Sequence, residues 1–360
     1  MTPAAVKHFS PVLLIGNFLS GHDGRRTYSE DLAARLEAAG AEVLRASSLM
    51  FKPARMADMA GAALGVRGDY RVAVIDVYSG RAFLWANVAA RVAKMRGRPV
   101  VLVLHGGRLP DYARRHGERL RGLLQLADAV VAPSGYLRDA LAPWRSDILV
   151  IPNAVEVERY PLRLRTRAEA RLTWLRSYHA IYNPVMAVEV LARVRADKAH
   201  ARLTMYGADK DGSVERVREA ARKLGVESAV DLRGAIPKQQ VGAALAEADI
   251  FLNTANIDNM PVSVVEAMAC GLCVVSTDVG GVPYLVQDGV DGLLVKPGDP
   301  DGMARAVLRI LGEEGLSVRL SAMARRKAER FDWNAVLERW LELLARLAGE
   351  AGATRHAAVD

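Results

Sequence analysis

Apolar runs of strand length alternate with amphipathic runs of helix length along almost the whole chain. That alternation constrains the fold more than any other feature, because a β–α–β–α succession packs best as a parallel sheet covered by helices on both faces. In the first half, strands are predicted at Val12–Gly16, Val72–Asp76, Val100–His105, Ala129–Ala132 and Ile148–Ile151. Arg159–Arg171 is polar, Arg-rich and weakly periodic, and reads as a linker. The pattern then restarts, with strands at Leu172–Leu175, Arg202–Tyr206, Val230–Arg233, Ile250–Asn253, Val274–Thr277 and Gly292–Val295. With 360 residues the chain can hold two domains, each with its own core. The expectation is α/β: two Rossmann-like domains with parallel sheets, spanning residues 1–160 and 161–330. An amphipathic helix at Trp333–Leu347 closes the pattern.

Local signals fix several helix ends. Thr27 with Glu30 three residues on forms a capping box for a helix from Tyr28, and Gly40 supplies its stop. Ser134 caps a short helix, Gly135–Leu141. Asn183 followed by Pro184 reads as an N-cap and first turn, and Pro261 as the first residue of a helix Pro261–Ala269 that ends at Gly271.

Composition narrows the function. With 51% apolar and 25% charged residues the chain reads as soluble and globular. No apolar run approaches the roughly 18–20 residues that span a bilayer. Met1–Ser10 has no apolar h-region, so no secretory signal is expected and the expected location is the cytoplasm. Cys270 and Cys273 form a lone C-x-x-C with no second ligand pair, at the end of a helix rather than the start of one. Two reduced, packed thiols are expected, and no metal site. The net charge of +8 calls for an anionic partner. Nucleic acid is not expected, since the basic residues are spread out and no recognition motif accompanies them. The densest cluster, Arg108–Arg121, interleaves Arg114, Arg115, His116, Arg119 and Arg121 with Leu109, Tyr112, Leu120 and Leu123. A solvated helix face and a peripheral contact with anionic membrane both fit it.

In an open parallel sheet, ligands bind beyond the carboxyl ends of the strands. Polar and glycine residues collect there: Gly16 and the loop Asn17–Arg26, His105-Gly106-Gly107, Arg176, and Thr254–Pro261. The first loop is not a Walker A motif, because His22 stands where lysine is required. An ordinary βα turn and a phosphate- or acceptor-contacting loop fit it equally. The sharpest signal is the helix at Pro261. The free N–H groups of Val262 and Ser263 at its start would make an anion site suited to a diphosphate. Glu266 lies further in, among Val265, Ala267 and Met268, where a carboxylate needs polar partners. A pair of ribose hydroxyls would serve, and so would a buried arginine or amide.

The run Asp258-Asn259-Met260-Pro261-Val262-Ser263-Val264-Val265-Glu266-Ala267-Met268-Ala269-Cys270-Gly271, followed by Val274–Pro283 and Asp291–Val295, resembles the donor-site signature of the retaining GT-B glycosyltransferases of family GT4. Pro133-Ser134, Ile151-Pro152-Asn153 and the strand ending in Arg176 are weaker echoes. The resemblance implies two facing domains with a cleft between them, and a C-terminal helix, about 333–350, packed back on the first. It implies that Glu266 binds the donor ribose, that Arg176 contacts the diphosphate and that His105 faces the reacting sugar. Asp258, Asn259, Met260, Pro261, Val262 and Ser263, with Gly16, complete the implied donor set. The implied activity is transfer of a sugar from a nucleoside-diphosphate sugar to a glycan, a lipid-linked or a small-molecule acceptor. No cofactor or metal is implied, the sugar nucleotide being a substrate.

Departures from the pattern are informative. The family's E-x₇-E reads Asp258-x₇-Glu266, the lysine usual five residues after the arginine is Ile181, and the glutamate usual after G-G-x-P is Tyr284. An unusual substrate, a catalytically reduced sugar-nucleotide-binding protein and an epimerase on the same scaffold therefore stay open beside the transferase.

Overall fold

The computed structural model describes residues 3–19, 27–80 and 82–357. The chain divides into two compact units, Met1–Asn153 with Asn334–Asp360, and Ala154–Trp333. The second unit therefore begins before the Arg-rich stretch.

The first unit is built on six parallel strands: β1 (Val12–Ile15), β2 (Val43–Ala46), β3 (Val72–Val77), β4 (Val100–Leu104), β5 (Ala129–Ala132) and β6 (Leu149–Val150), in the order β2-β1-β3-β4-β5-β6. The interior strands are near-continuous Val, Ile, Leu and Ala, and are buried on both faces, as helices on both sides require. β2 has no counterpart among the strands the sequence predicts. It is a short edge strand whose Arg45 is exposed, so it lacks the unbroken apolar run that marks the others. Its place matters, because the chain moves from β1 to one side and then returns to β3 on the other. That reversal puts a topological switch point between β1 and β3. The helix Trp333–Ala357 belongs to this unit. Its buried Trp340 donates Nε1–H to the Tyr28 hydroxyl at 2.8 Å.

The second unit holds β7 (Arg171–Leu175), β8 (Arg202–Tyr206), β9 (Val230–Arg233), β10 (Ile250–Asn253), β11 (Cys273–Thr277) and β12 (Leu293–Val295), all parallel. Their order, β12-β11-β10-β7-β8-β9, places the switch point between β7 and β10. The expected linker Arg159–Arg171 is part of this unit's body. Arg163 and Arg171 reach the fully buried carboxylate of Asp249 at 2.6 and 2.9 Å. Arg165 is itself buried and donates to the Ala248 carbonyl at 2.6 Å. A high arginine count reads as solvated chain in the sequence, but here the guanidinium groups converge on one buried acid and on carbonyls.

The capping box at Thr27 forms as the sequence predicts, with Thr27 N–H donating to Glu30 Oε2 at 2.7 Å. Ser134 accepts from Leu137 N–H at 3.2 Å. Two ends differ. Asn183 adopts a left-handed conformation, φ 45°, and its side chain does not cap the helix Pro184–Asp197. Pro261 is the N-cap, and the helix runs Val262–Ala269. Cys270 and Cys273 are free and buried, and burial pushes both thiols up to about 12. No helix among the described residues is long and apolar enough to cross a membrane.

Candidate functional site

The switch point of the second sheet gathers most of the sequence-predicted residues. Arg176 follows β7 directly. Its N–H donates to the Tyr206 carbonyl, and its own carbonyl passes so close to Gly207 that a Cβ there would come within 1.7 Å. Arg176 Nη2 donates to Asp258 Oδ2 at 2.7 Å, and its guanidinium lies 4.0 Å from the ring centroid of Tyr182. Its Nε is buried with no hydrogen-bond partner among the described residues.

Asp258 sits in the loop after β10, which is tied down on two sides. Thr254 accepts from Trp174 Nε1 at 2.9 Å and donates to the Tyr182 carbonyl at 2.8 Å. Asn256 N–H donates to the Ile181 carbonyl. On the other side Gly281 N–H donates to the Asp258 carbonyl at 3.1 Å. Asp258 Oδ1 accepts from Asn259 N–H at 2.9 Å. Burial pushes the Asp258 carboxyl above its ordinary value, against the pull of Arg176 and the Asn259 amide.

The loop delivers Pro261 to the start of the helix Val262–Ala269. Val264 and Val265 N–H turn back to the Pro261 carbonyl, whereas those of Val262 and Ser263 have no acceptor among the described residues. These are the orphan donors of a helix start. The Ser263 hydroxyl is buried and also unpartnered. Met260 and Asn259 are buried beside them. One turn on, Glu266 is 7% exposed and accepts at Oε1 from the Tyr160 hydroxyl at 2.7 Å. Burial pushes its carboxyl up, while Tyr160, Lys238 and Arg176 draw it down. An unpaired guanidinium nitrogen, an unpaired hydroxyl and two free amides in one buried corner suit an oxyanion, and a carboxylate nearby suits hydroxyl donors.

Gly16 and His105 belong to the first unit, where they meet at the β1/β3 switch point. His105 Nε2 bonds Asp76 Oδ1 at 2.8 Å, and Ser29 donates to Asp76 Oδ2 at 2.5 Å. Tyr78 stacks on the His105 ring, with centroids 4.8 Å apart and planes 16° from parallel. A Cβ on Gly16 would lie 2.3 Å from Asp76 Oδ2, so only glycine lets that carboxylate turn toward Ser29. Burial pushes the Tyr78 hydroxyl up. Residues 20–26 of the glycine-rich loop, with Gly21, His22 and Gly24, lie outside the described residues.

The basic stretch Arg108–Arg121 forms most of the helix Leu109–Leu126, which breaks its regular geometry at His116. Leu109, Ala113, Leu120, Leu123 and Leu124 all face the core of the first unit. Packing inside the protein accounts for its amphipathic pattern, leaving a solvated basic face.

Sequence reasoning missed Tyr160, Tyr182 as a platform for Arg176, and Asp76. Tyr160 carried no local signal, being far from Glu266 in the chain and placed within the expected linker. Asp76 had one: an acid closing an otherwise apolar, buried strand.

Two doubly wound parallel sheets, each with polar side chains at its switch point, define a two-unit α/β protein of the GT-B architecture. Two glycosyl transferase family models match successive parts of the chain. Residues 171–313 match the family Glycosyl transferases group 1, and residues 27–159 match Glycosyltransferase Family 4. The chain is 29% identical over 228 residues to the D-inositol 3-phosphate glycosyltransferase of Geodermatophilus obscurus, a match covering 59% of this chain and 50% of that protein. It spans about half, or less, of the curated relatives it matches near 30% identity. In fold it is similar to sucrose-phosphate synthase from Thermosynechococcus elongatus, with a TM-score of 0.75, 18% identity, and coverage of 95% of this chain and 100% of that one. It is also similar to Anabaena Alr3699/HepE in complex with UDP and glucose, with a TM-score of 0.73, 20% identity, and coverage of 93% and 99%. In fold the chain is a GT-B protein, and its family matches are to glycosyl transferases.

Proposed function

We propose that the chain transfers a sugar from a nucleoside-diphosphate sugar to an acceptor hydroxyl with retention at the anomeric carbon. The observation that carries this reading is the unpaired set at the second switch point: Arg176 Nε, Ser263 Oγ and the amides of Val262 and Ser263. These groups would take the diphosphate, and Glu266 would accept from the ribose hydroxyls. Asn259, Met260 and Pro261 shape the turn that presents them.

As the anomeric C–O bond breaks, its electron pair goes to the departing diphosphate, and fixed donors aimed there lower the barrier most. The acceptor oxygen forms the new bond to the sugar, and its proton passes to the phosphate oxygen that leaves. No carboxylate base is called on, and the charge is met by Arg176 and amides rather than by a metal. His105 would face the reacting sugar, and Gly16 would complete the donor set from the first unit.

One observation favours a second reading, a sugar-nucleotide-binding protein of reduced activity. Arg176 is already half-neutralised by Asp258, and Ile181 supplies no second cation. A thermal-shift screen against UDP-, GDP-, ADP- and TDP-sugars tests binding, since a ligand held by the folded state alone raises the melting point. Turnover with the best donor, followed by NMR of the anomeric proton in the product, tests transfer and retention. A donor that is bound but never hydrolysed or transferred favours the second reading, and no shift with any donor overturns both.

A further inference from the structure

Arg55 in the first unit is a buried cation without an anion. It lies on the helix Lys52–Ala63 and is 7% exposed. Its Nε donates to the Leu49 carbonyl at 2.6 Å and its Nη1 to Asn17 Oδ1 at 3.1 Å, both neutral acceptors. Among the described residues no carboxylate lies within ion-pair distance of it. The guanidinium stands 5.8 Å from the ring centroid of Trp85. Elsewhere in this protein the buried Arg165 is matched by Asp249 and the half-buried Arg176 by Asp258. Removing a charge from water with only neutral partners is unfavourable unless a counter-charge arrives.

Its partners place that counter-charge. Asn17 and Trp85, with Gly16, Asp76 and Tyr78, line a pocket at the β1/β3 switch point. The Tyr78 ring, on the wall of the same pocket, stacks on His105. Through Asn17, Arg55 therefore stands at the edge of a pocket whose Tyr78 stacks on His105. We propose that Arg55 is the anion-binding residue of an acceptor subsite, and that the acceptor carries a phosphate group, which Arg55 holds while Trp85 and Tyr78 pack its body. The acceptor role rests on the glycosyltransfer reading above; the anion site itself does not. With Nε and Nη1 committed to Leu49 and Asn17, Nη2 is the donor left for the phosphate, and the guanidinium charge strengthens that contact.

The test is calorimetric titration of the whole chain, saturated with UDP to fill the second unit, with glycerol 3-phosphate and with glycerol. A second arm measures sedimentation with phosphatidic acid vesicles, which separates a soluble phosphate from a lipid headgroup as the source. The wild type should bind glycerol 3-phosphate or the vesicles, and glycerol not at all. Arg55→Gln should weaken that binding tenfold or more. Asn17→Asp, which sets a carboxylate against Nη1 while keeping Arg55 in place, should do the same and guards against a folding defect in the first variant. UDP affinity should be unchanged in both. Absence of phosphate binding in both arms, or undiminished binding in both variants, overturns the proposal. Failure of UDP to bind the wild type counts against the donor reading alone, and the phosphate titration is then read without it.

Discussion

The Tyr160 hydroxyl donates to Glu266 Oε1 at 2.7 Å, across 106 residues of sequence. Both side chains are buried, and burial and the neighbouring carboxylate push the Tyr160 hydroxyl up, so it stays a donor at any working pH. The bond leaves the second carboxylate oxygen of Glu266 as the one to meet a ligand. Tyr160→Phe should keep the fold, at a stability cost of about 1–3 kcal/mol for the carboxylate left short of a donor. It should raise the donor KM several-fold with a smaller change in kcat. Unchanged donor affinity, read by titration with the best sugar nucleotide, would show that Tyr160 does not orient Glu266.

Glu266 itself couples function to pH. Its carboxyl is raised in the folded state, chiefly by burial. A raised value means the stability linked to the bound proton is fully present below the unfolded carboxylate range and is lost as pH rises through the folded value. Glu266→Gln, neutral at every pH, escapes that loss. The variant should therefore melt higher than the wild type at pH 7.5, the difference should close as pH falls below about 4, and donor binding should be lost. A variant that melts lower at pH 7.5 would contradict the sign.

Most of the scaffold was legible in the sequence because buried parallel strands must be apolar on both faces. Ala129–Ala132 and Ile250–Asn253, buried throughout, stand in the structure with the bounds the sequence gives them. β2 escaped because an edge strand needs only a partial apolar pattern. The donor-side residues were legible because helix starts and buried acids leave local marks, as at Pro261 and Glu266. What stayed hidden is long-range pairing. Nothing near Tyr160, Asp76 or Arg55 announces its partner, because those contacts are set by which loops meet at a switch point. Arginines misled for the same reason: Arg165 in an apparent linker is buried, and only the tertiary fold supplies Asp249.

The half-buried Arg176 pairs with the buried Asp258 carboxylate at 2.7 Å, so removing the arginine leaves a buried carboxylate unmatched. Arg176→Ala should cost about 3–5 kcal/mol for that reason, and should lower kcat/KM about 10²–10³-fold through lost stabilisation of the leaving diphosphate. Adding Asp258→Asn separates the two effects. The double variant should recover most of the stability and none of the activity. Recovery of activity with stability would mean that Arg176 is structural and that the diphosphate rests elsewhere.

His105 offers a parallel test in the first unit. With Nε2 bonded to Asp76 Oδ1, and Asp76 held from the other side by Ser29, the ring is left with Nδ1 as its free acceptor atom. Asp76→Asn removes the charge that selects this arrangement. A loss in kcat of about tenfold or more is expected by analogy with other residues that orient a functional histidine, together with an altered pH profile and unchanged UDP affinity. Equal kcat and an unchanged profile would make the Asp76 bond a packing detail.

Gly281 tests whether the turn after β11 holds the donor loop in place. Its N–H bonds the Asp258 carbonyl, and a Cβ on it would come within 1.7 Å of the Asn259 carbonyl oxygen. Since that contact is backbone, no side chain can swing away, and Gly281→Ala must displace the loop that carries Asp258 and leads into Val262. The expected cost is about 1–3 kcal/mol, as for other overpacked sites, with donor affinity reduced at least tenfold. Gly289 is the control. It has a left-handed φ of 71° with nothing within 4 Å of its Cβ position, so Gly289→Ala meets backbone strain but no clash. That variant should lose about 1–2 kcal/mol and bind the donor normally. If both variants lose stability and neither loses donor affinity, the loop is not positioned by Gly281, and the placement of Asp258 must be set by Arg176 and by the bonds of Thr254 and Asn256.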